Sequence, residues 1–171
     1  MTTLTRPSLD LYGSWAECVA EFEPGHIPAA AMWLLDIEPD VSRDYCADLV
    51  ATIEDNADTS RPTPEGIVHA DSYWVTEDQI VIGFLQLRHT LNDYLRETGG
   101  HIGYSIRPSY RRRGHATRAL SLALDRARAL KLDRVLVTCD EDNLASVRTI
   151  ESGGGVLEDT RAGERRYWIT L

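Results

Sequence analysis

The order of apolar patterns along the chain predicts a mixed α/β protein with a mostly antiparallel sheet. Three observations carry that prediction. Two runs with strand character, Ile67–Val75 and Gln79–His89, are separated only by Thr76-Glu77-Asp78, the spacing of a hairpin. A short apolar run, His101–Ile106, leads through a proline-marked turn into a long helical pattern, after which Arg134–Cys139 supplies a strand apolar enough for the middle of a sheet. A second strand pair, Val156–Thr160 and Arg165–Leu171, flanks the turn residues Ala162-Gly163.

The other elements follow from periodicity and capping. Gly13–Phe22 reads as a helix with Ser14 available as N-cap and Trp15, Cys18, Val19 and Phe22 on one face. Pro28–Leu35 suggests a short apolar turn, and Ser42–Asp55 a second helix capped by Ser42. Asp55–Pro64 and Leu91–Gly100 read as loops. The helix from Gly114 to about Leu132 would bury Ala116, Leu120, Leu124, Ala127 and Leu130, and Asn143 can cap a further helix that ends at Gly153. With no repeat, linker or low-complexity stretch, residues 1–171 are expected to form one domain, in keeping with the length and a hydrophobic content of 43%.

Composition narrows the function. There is no apolar run long enough to span a bilayer and no signal-peptide core, so a cytoplasmic protein without a membrane partner is expected. Cys18, Cys46 and Cys139 are odd in number and lack metal-ligand spacing, which points to reduced thiols and no metal site. The 18 basic and 27 acidic side chains give a formal charge of −9, which disfavours a nucleic-acid partner and favours a cationic one.

Against that acidic background the segment Arg107-Pro108-Ser109-Tyr110-Arg111-Arg112-Arg113-Gly114-His115-Ala116-Thr117 stands out. A strand that enters a glycine-containing turn at a helix start makes an anion site, because the first-turn N–H groups lack intrahelical acceptors and the helix dipole is positive there. Gly114 allows close approach of the backbone, Ala116 and Thr117 keep the next turn small, and Arg111, Arg112 and Arg113 add forked donors suited to phosphate oxygens. Neither a Walker loop nor a Rossmann glycine pattern is present. A solvated basic turn is the plainer alternative.

Arg111-x-x-Gly114-x-Ala116 resembles the acyl-coenzyme A signature of the GNAT superfamily of N-acetyltransferases, and from about residue 67 onward the element order is similar to the core of that family. The stretch from Val137 to Gly155, with Asn143 opening a helix and glycines closing it, looks like the family's second cofactor motif. Gly-Gly-His-Ile-Gly-Tyr-Ser-Ile-Arg-Pro resembles a subgroup with no assigned substrate. The resemblance implies a GNAT-like sheet with helices on both faces and acetyl-CoA as co-substrate. It also implies a small-molecule or peptide amine as acceptor, with a homodimer left open. Ile106, Arg107, Arg111, Arg112, Arg113, Gly114, His115, Ala116, Thr117 and Asn143 would then contact the cofactor, with a backbone N–H at Ile106 or Arg107 polarising the thioester carbonyl.

One feature departs from the pattern. Many family members carry a tyrosine acid seven residues after the asparagine, and here that residue is Ile150. His101 and Tyr104 are the replacement candidates, but strand alternation puts them on opposite faces, so both cannot face the acetyl group. Simple packing is the alternative for each, and for Cys139. Arg88, His89 and Asp93 are further candidates for acceptor contacts. An acyl-CoA-binding module without turnover remains the competing function.

Overall fold

A computed structural model describes residues 1–171. Strands β2 (Ala70–Glu77) and β3 (Ile80–Arg88) meet at Asp78 and Gln79, both in the left-handed region with φ of 48° and 64°. That two-residue turn matches the right-handed twist of the flanking strands, so the hairpin forms without splaying. β1 (Thr2–Thr5) pairs antiparallel with β2, and β4 (Ile102–Ile106) pairs antiparallel with β3, giving a four-stranded sheet in the order β1-β2-β3-β4. β5 (Arg134–Asp140), β6 (Val156–Arg161) and β7 (Glu164–Thr170) form a second antiparallel sheet with β7 in the middle. The mixed α/β, antiparallel fold read from the sequence is present, with the sheet divided into two.

Helices cover both faces of the first sheet. On one lie α1 (Tyr12–Ala20) and α2 (Arg43–Ala57), where Trp15 stacks between Tyr45 and Trp74 with ring centroids 6.3 Å from each. On the other, α4 (His115–Ala129) sets Ala119, Leu120, Ala123 and Ala127 against Ile82, Leu85, Ile102 and Ile106. The alanines let the helix approach the sheet closely, and the core on this side continues to Val147 and Ile150 of α5 (Leu144–Ser152).

Three local expectations are corrected and one unforeseen strand is added. Ser14 does not cap α1; its Oγ accepts from the Val81 N–H at 2.8 Å and so pins the helix to β3. Residues 91–100 are not all loop, because Asn92 accepts from the Leu95 N–H and starts the short helix α3 (Asp93–Glu97). β1 has too short an apolar pattern to be seen in sequence and is held by pairing and by the Thr3–Thr76 and Thr5–Thr76 hydroxyl contacts. Helix α4 ends at Ala129, where Lys131 turns left-handed, so Leu130 is exposed rather than buried. No helix is long and apolar enough to cross a membrane.

Candidate active site

The two sheets meet edge to edge at β4 and β5, and they part from a single clasp. The His101 N–H donates to the Leu136 carbonyl at 2.7 Å, and the Leu136 N–H donates to His101 Nδ1 at 2.9 Å. Gly100 makes the close approach workable: it is left-handed, and a Cβ there would collide with the Leu136 carbonyl. Beyond the clasp β4 is the free edge of its sheet. The His101 carbonyl and the Arg107 N–H are bonded to β3, so by the alternation of an antiparallel ladder the main-chain groups of Ile102, Tyr104 and Ile106 face the gap. Two unpaired edges opening from one clasp leave room and hydrogen-bonding groups for an extended ligand.

At the open end lies the arginine-rich turn. Pro108–Tyr110 form a 3-10 turn and Gly114, with φ +82°, is the N-terminal cap residue of α4 with no side chain capping it. The N–H groups of Arg112, Arg113, Gly114, His115, Ala116 and Thr117 have no acceptor in the protein. Arg111 donates to the Ile106 carbonyl at 2.9 Å, and Arg113 donates to the Ser109 carbonyl while lying over the Tyr110 ring. Arg111, Arg112 and Arg113 have no carboxylate partner, so a row of free amides is framed by three uncompensated cations. That is the donor set a diphosphate requires.

Not every predicted side chain reaches this place. Arg107 is 8% exposed; its guanidinium is paired with Glu21 and donates to the Val81 carbonyl, and its N–H is bonded to Ile82. It therefore anchors the turn, and the Ile106 N–H is left as the amide facing the gap. Glu21 also accepts from the Ser109 N–H and hydroxyl, and these contacts, led by Arg107, hold its carboxyl down to about 2. His115 points inward, its Nδ1 2.9 Å from the Thr2 hydroxyl, so only its N–H belongs to the cradle. Asn143 caps α5 through its Oδ1 to the Ser146 N–H and lines the gap.

A cavity of about 610 Å³ runs through the gap to both sides of β4. Tyr104, Cys139, Asn143 and Ser146 line its α5 side, while Ala29, Trp33, Gln86, Arg88 and Gly103 line the side facing α1 and α2. Gly103, opposite Gln86, has no side chain to close the passage. Tyr104 packs its ring against the core, yet its hydroxyl is close to Ser146 and Thr149 without hydrogen-bonding either, and burial pushes its pKa up, so it stays protonated. His101 does not line the cavity. Its Nδ1 is occupied as an acceptor and burial pulls its pKa down to about 4, which ties the ring to the clasp and argues against a role in proton transfer. Cys139 lines the cavity as a thiol that burial holds near 11, which argues against a nucleophile. His89 faces Asp71, and Ile150 is fully buried in the core, away from the cavity lining.

Parted sheet edges beside a row of free amides are an arrangement suited to an extended phosphate-bearing ligand. A family model described as an acetyltransferase (GNAT) domain matches residues 19–156, and the chain belongs to that family. It is an acetyltransferase whose co-substrate is acetyl-CoA. No curated protein matches it in sequence. Among solved structures it is similar to the microcin C7 self-immunity acetyltransferase MccE in complex with acetyl-CoA and AMP (14% identity, 99% of this chain and 92% of that one, TM-score 0.65). It is also similar to the spermidine/spermine N-acetyltransferase SpeG from Vibrio cholerae (20%, 99% and 95%, TM-score 0.61) and to a GNAT-family acetyltransferase from Bacillus anthracis (17%, 99% and 94%, TM-score 0.60). At these identities the likeness is one of fold.

Proposed function

We propose that the chain transfers acetyl from acetyl-CoA to a primary amine that enters from the α1/α2 side of the cavity. The observation that carries this reading is that one cavity is lined from both sides of β4, by Tyr104, Cys139, Asn143 and Ser146 on one and by Gly103, Gln86 and Arg88 on the other. The cradle and its arginines would hold the diphosphate, and the exposed main-chain edge of β4 would align the arm. Bound acetyl-CoA supplies a thioester carbonyl. The Ile106 N–H is the donor suited to polarise it, and preorganised donors of this kind commonly carry ~10²–10³-fold of a rate.

The amine nitrogen forms a bond to the carbonyl carbon, the C–S bond breaks, and a proton must leave the nitrogen and reach the sulfur. Glu164 lines the cavity with Oε2 unpartnered and Oε1 bonded by the Thr98 hydroxyl, which supports a role as proton acceptor. Tyr104, protonated and without a partner, is suited to deliver a proton to the departing thiolate. Release of free CoA thiol from acetyl-CoA, followed over a panel of primary amines, tests the reading. Tight CoA binding with no amine-dependent thiol release would instead identify an acyl-CoA-binding module.

A further inference from the structure

The acceptor side of the cavity contains a charge that acetyl transfer by itself does not require. Arg88 ends β3, and its Nη1 donates to the Gly99 and Gly100 carbonyls at 3.0 and 3.1 Å. These are neutral acceptors, and no carboxylate pairs with the guanidinium. The two most buried arginines, by contrast, are matched: Arg107 pairs with Glu21, and Arg166 with Glu158 and Asp159. A desolvated cation left without a counter-charge is costly, and an anionic ligand would relieve that cost.

Its placement indicates which ligand. The guanidinium lies against Gly103, 3.9 Å from where a Cβ would stand, on the face of β4 that looks towards Ala29. One residue further along the strand, on the other face, is Tyr104. Apolar Trp33, Ile67, Val68 and Leu95 line the same cavity. The carboxylates in the same cavity are Asp140 and Glu164, of which Glu164 has an oxygen that is buried and unpartnered. A planar fork, a carboxylate and apolar lining in one cavity are complementary to a small zwitterion.

Building on the acetyltransferase reading, we propose that the acceptor is a small amino acid with an apolar side chain, its carboxylate held by the free face of Arg88 and its amine directed past Gly103 into the gap between β4 and β5. The net charge of −9 does not oppose this, because charges more than about 8–10 Å away are screened whereas a fork in contact is not. The chemistry differs from that of a polyamine, which offers no group to Arg88.

L-leucine and L-phenylalanine, each beside its carboxamide, are the probes, with the CoA-loaded protein and the Arg88→Gln and Arg88→Lys variants. Calorimetric binding reads the carboxylate anchor, and thiol release from acetyl-CoA reads transfer. Wild type should bind the acids about tenfold or more tightly than the amides. Arg88→Gln should bring that ratio near one, and Arg88→Lys should recover part of it. The ratio is internal to each protein, so it survives a general loss of stability caused by freeing the Gly99 and Gly100 carbonyls. Equal binding of acid and amide to wild type, a ratio unchanged in Arg88→Gln, or spermidine outcompeting both acids would overturn the anchor even if thiol release were rapid. Acid-selective binding without thiol release would leave the anchor standing and overturn acetyl transfer.

Discussion

His101 and Leu136 exchange two hydrogen bonds in which one acceptor is an imidazole nitrogen, so a side chain completes the main-chain ladder between β4 and β5. One side chain thus sets where the two sheets join and where they begin to part. The width of the gap follows from it, since β4 and β5 pair with each other nowhere else along their length.

The clasp makes stability depend on pH. Because Nδ1 accepts, the ring must be neutral in the folded protein, and burial, with Arg88 and Arg96 nearby, pulls its pKa down to about 4 from 6.5. Between these values the unfolded chain binds the proton and the folded one does not, so the stabilisation is complete above about 6.5 and is lost as pH falls towards 4. The loss is of order 3 kcal/mol. Denaturant unfolding from pH 7.5 to 4 should show it. His101→Ala should be less stable by about 2 kcal/mol or more at pH 7.5, with the Leu136 N–H left buried and unpaired, and should show a flatter pH dependence. An equally steep dependence in the variant would assign the titration to another group.

Glu21 reaches the cradle without being part of it. Its carboxylate joins the end of α1 to the Arg107 guanidinium and to Ser109, and so fixes the turn from which the free amides project. Glu21→Gln should lower CoA affinity severalfold and stability by about 1–3 kcal/mol, with kcat at saturation little changed. The carboxyl is held down to about 2, so this contribution is present above the ordinary carboxylate range and is lost only as pH falls through that range towards 2. CoA affinity equal to wild type in a folded Glu21→Gln protein would show that the turn positions itself.

What could be read in the sequence was local. The amides from Arg112 to Thr117 are consecutive, so the spacing of Arg111, Gly114 and Ala116 contains their geometry, and the hairpins and α4 follow from short-range periodicity. The roles of His101 and Arg107 depend on partners 35 and 86 residues away, which no spacing rule reaches. The same holds for Ser14, which read as a cap and instead receives an N–H from β3. The anchor at Arg88 was visible only as an arginine at a strand end. Its significance is a missing carboxylate, which is a property of the assembled cavity.

Gly114 separates two effects that sequence merges. It is left-handed, and a Cβ there would meet no protein atom within 4 Å. Valine should therefore cost about 1–3 kcal/mol through backbone strain alone, with no clash in the free protein. CoA affinity should fall tenfold or more, because the open space beside Gly114 is where a phosphate would meet the amides. Calorimetry on folded Gly114→Val distinguishes the two, and unchanged CoA affinity would remove the cradle from the phosphate site.

Tyr104 stands where packing and chemistry overlap. Strand alternation, with Ile102 and Ile106 as neighbours, reads as a packing row, and the ring does pack on the core. The hydroxyl ends in the cavity wall with no partner, near Ser146 and Thr149. A buried phenol that only packed would be as stable or more stable as phenylalanine, since the unpaired oxygen is a penalty. Ile150 cannot act in its place, being aliphatic and fully buried. Tyr104→Phe should therefore hold or raise stability and leave CoA affinity unchanged, while kcat falls about 10²-fold. The alkaline limb of the kcat profile should shift as well, because the raised phenol pKa keeps the wild-type donor protonated beyond its ordinary range. A fall of less than about threefold, with the pH profile unmoved, would return Tyr104 to packing and leave the thiolate to depart without an acid.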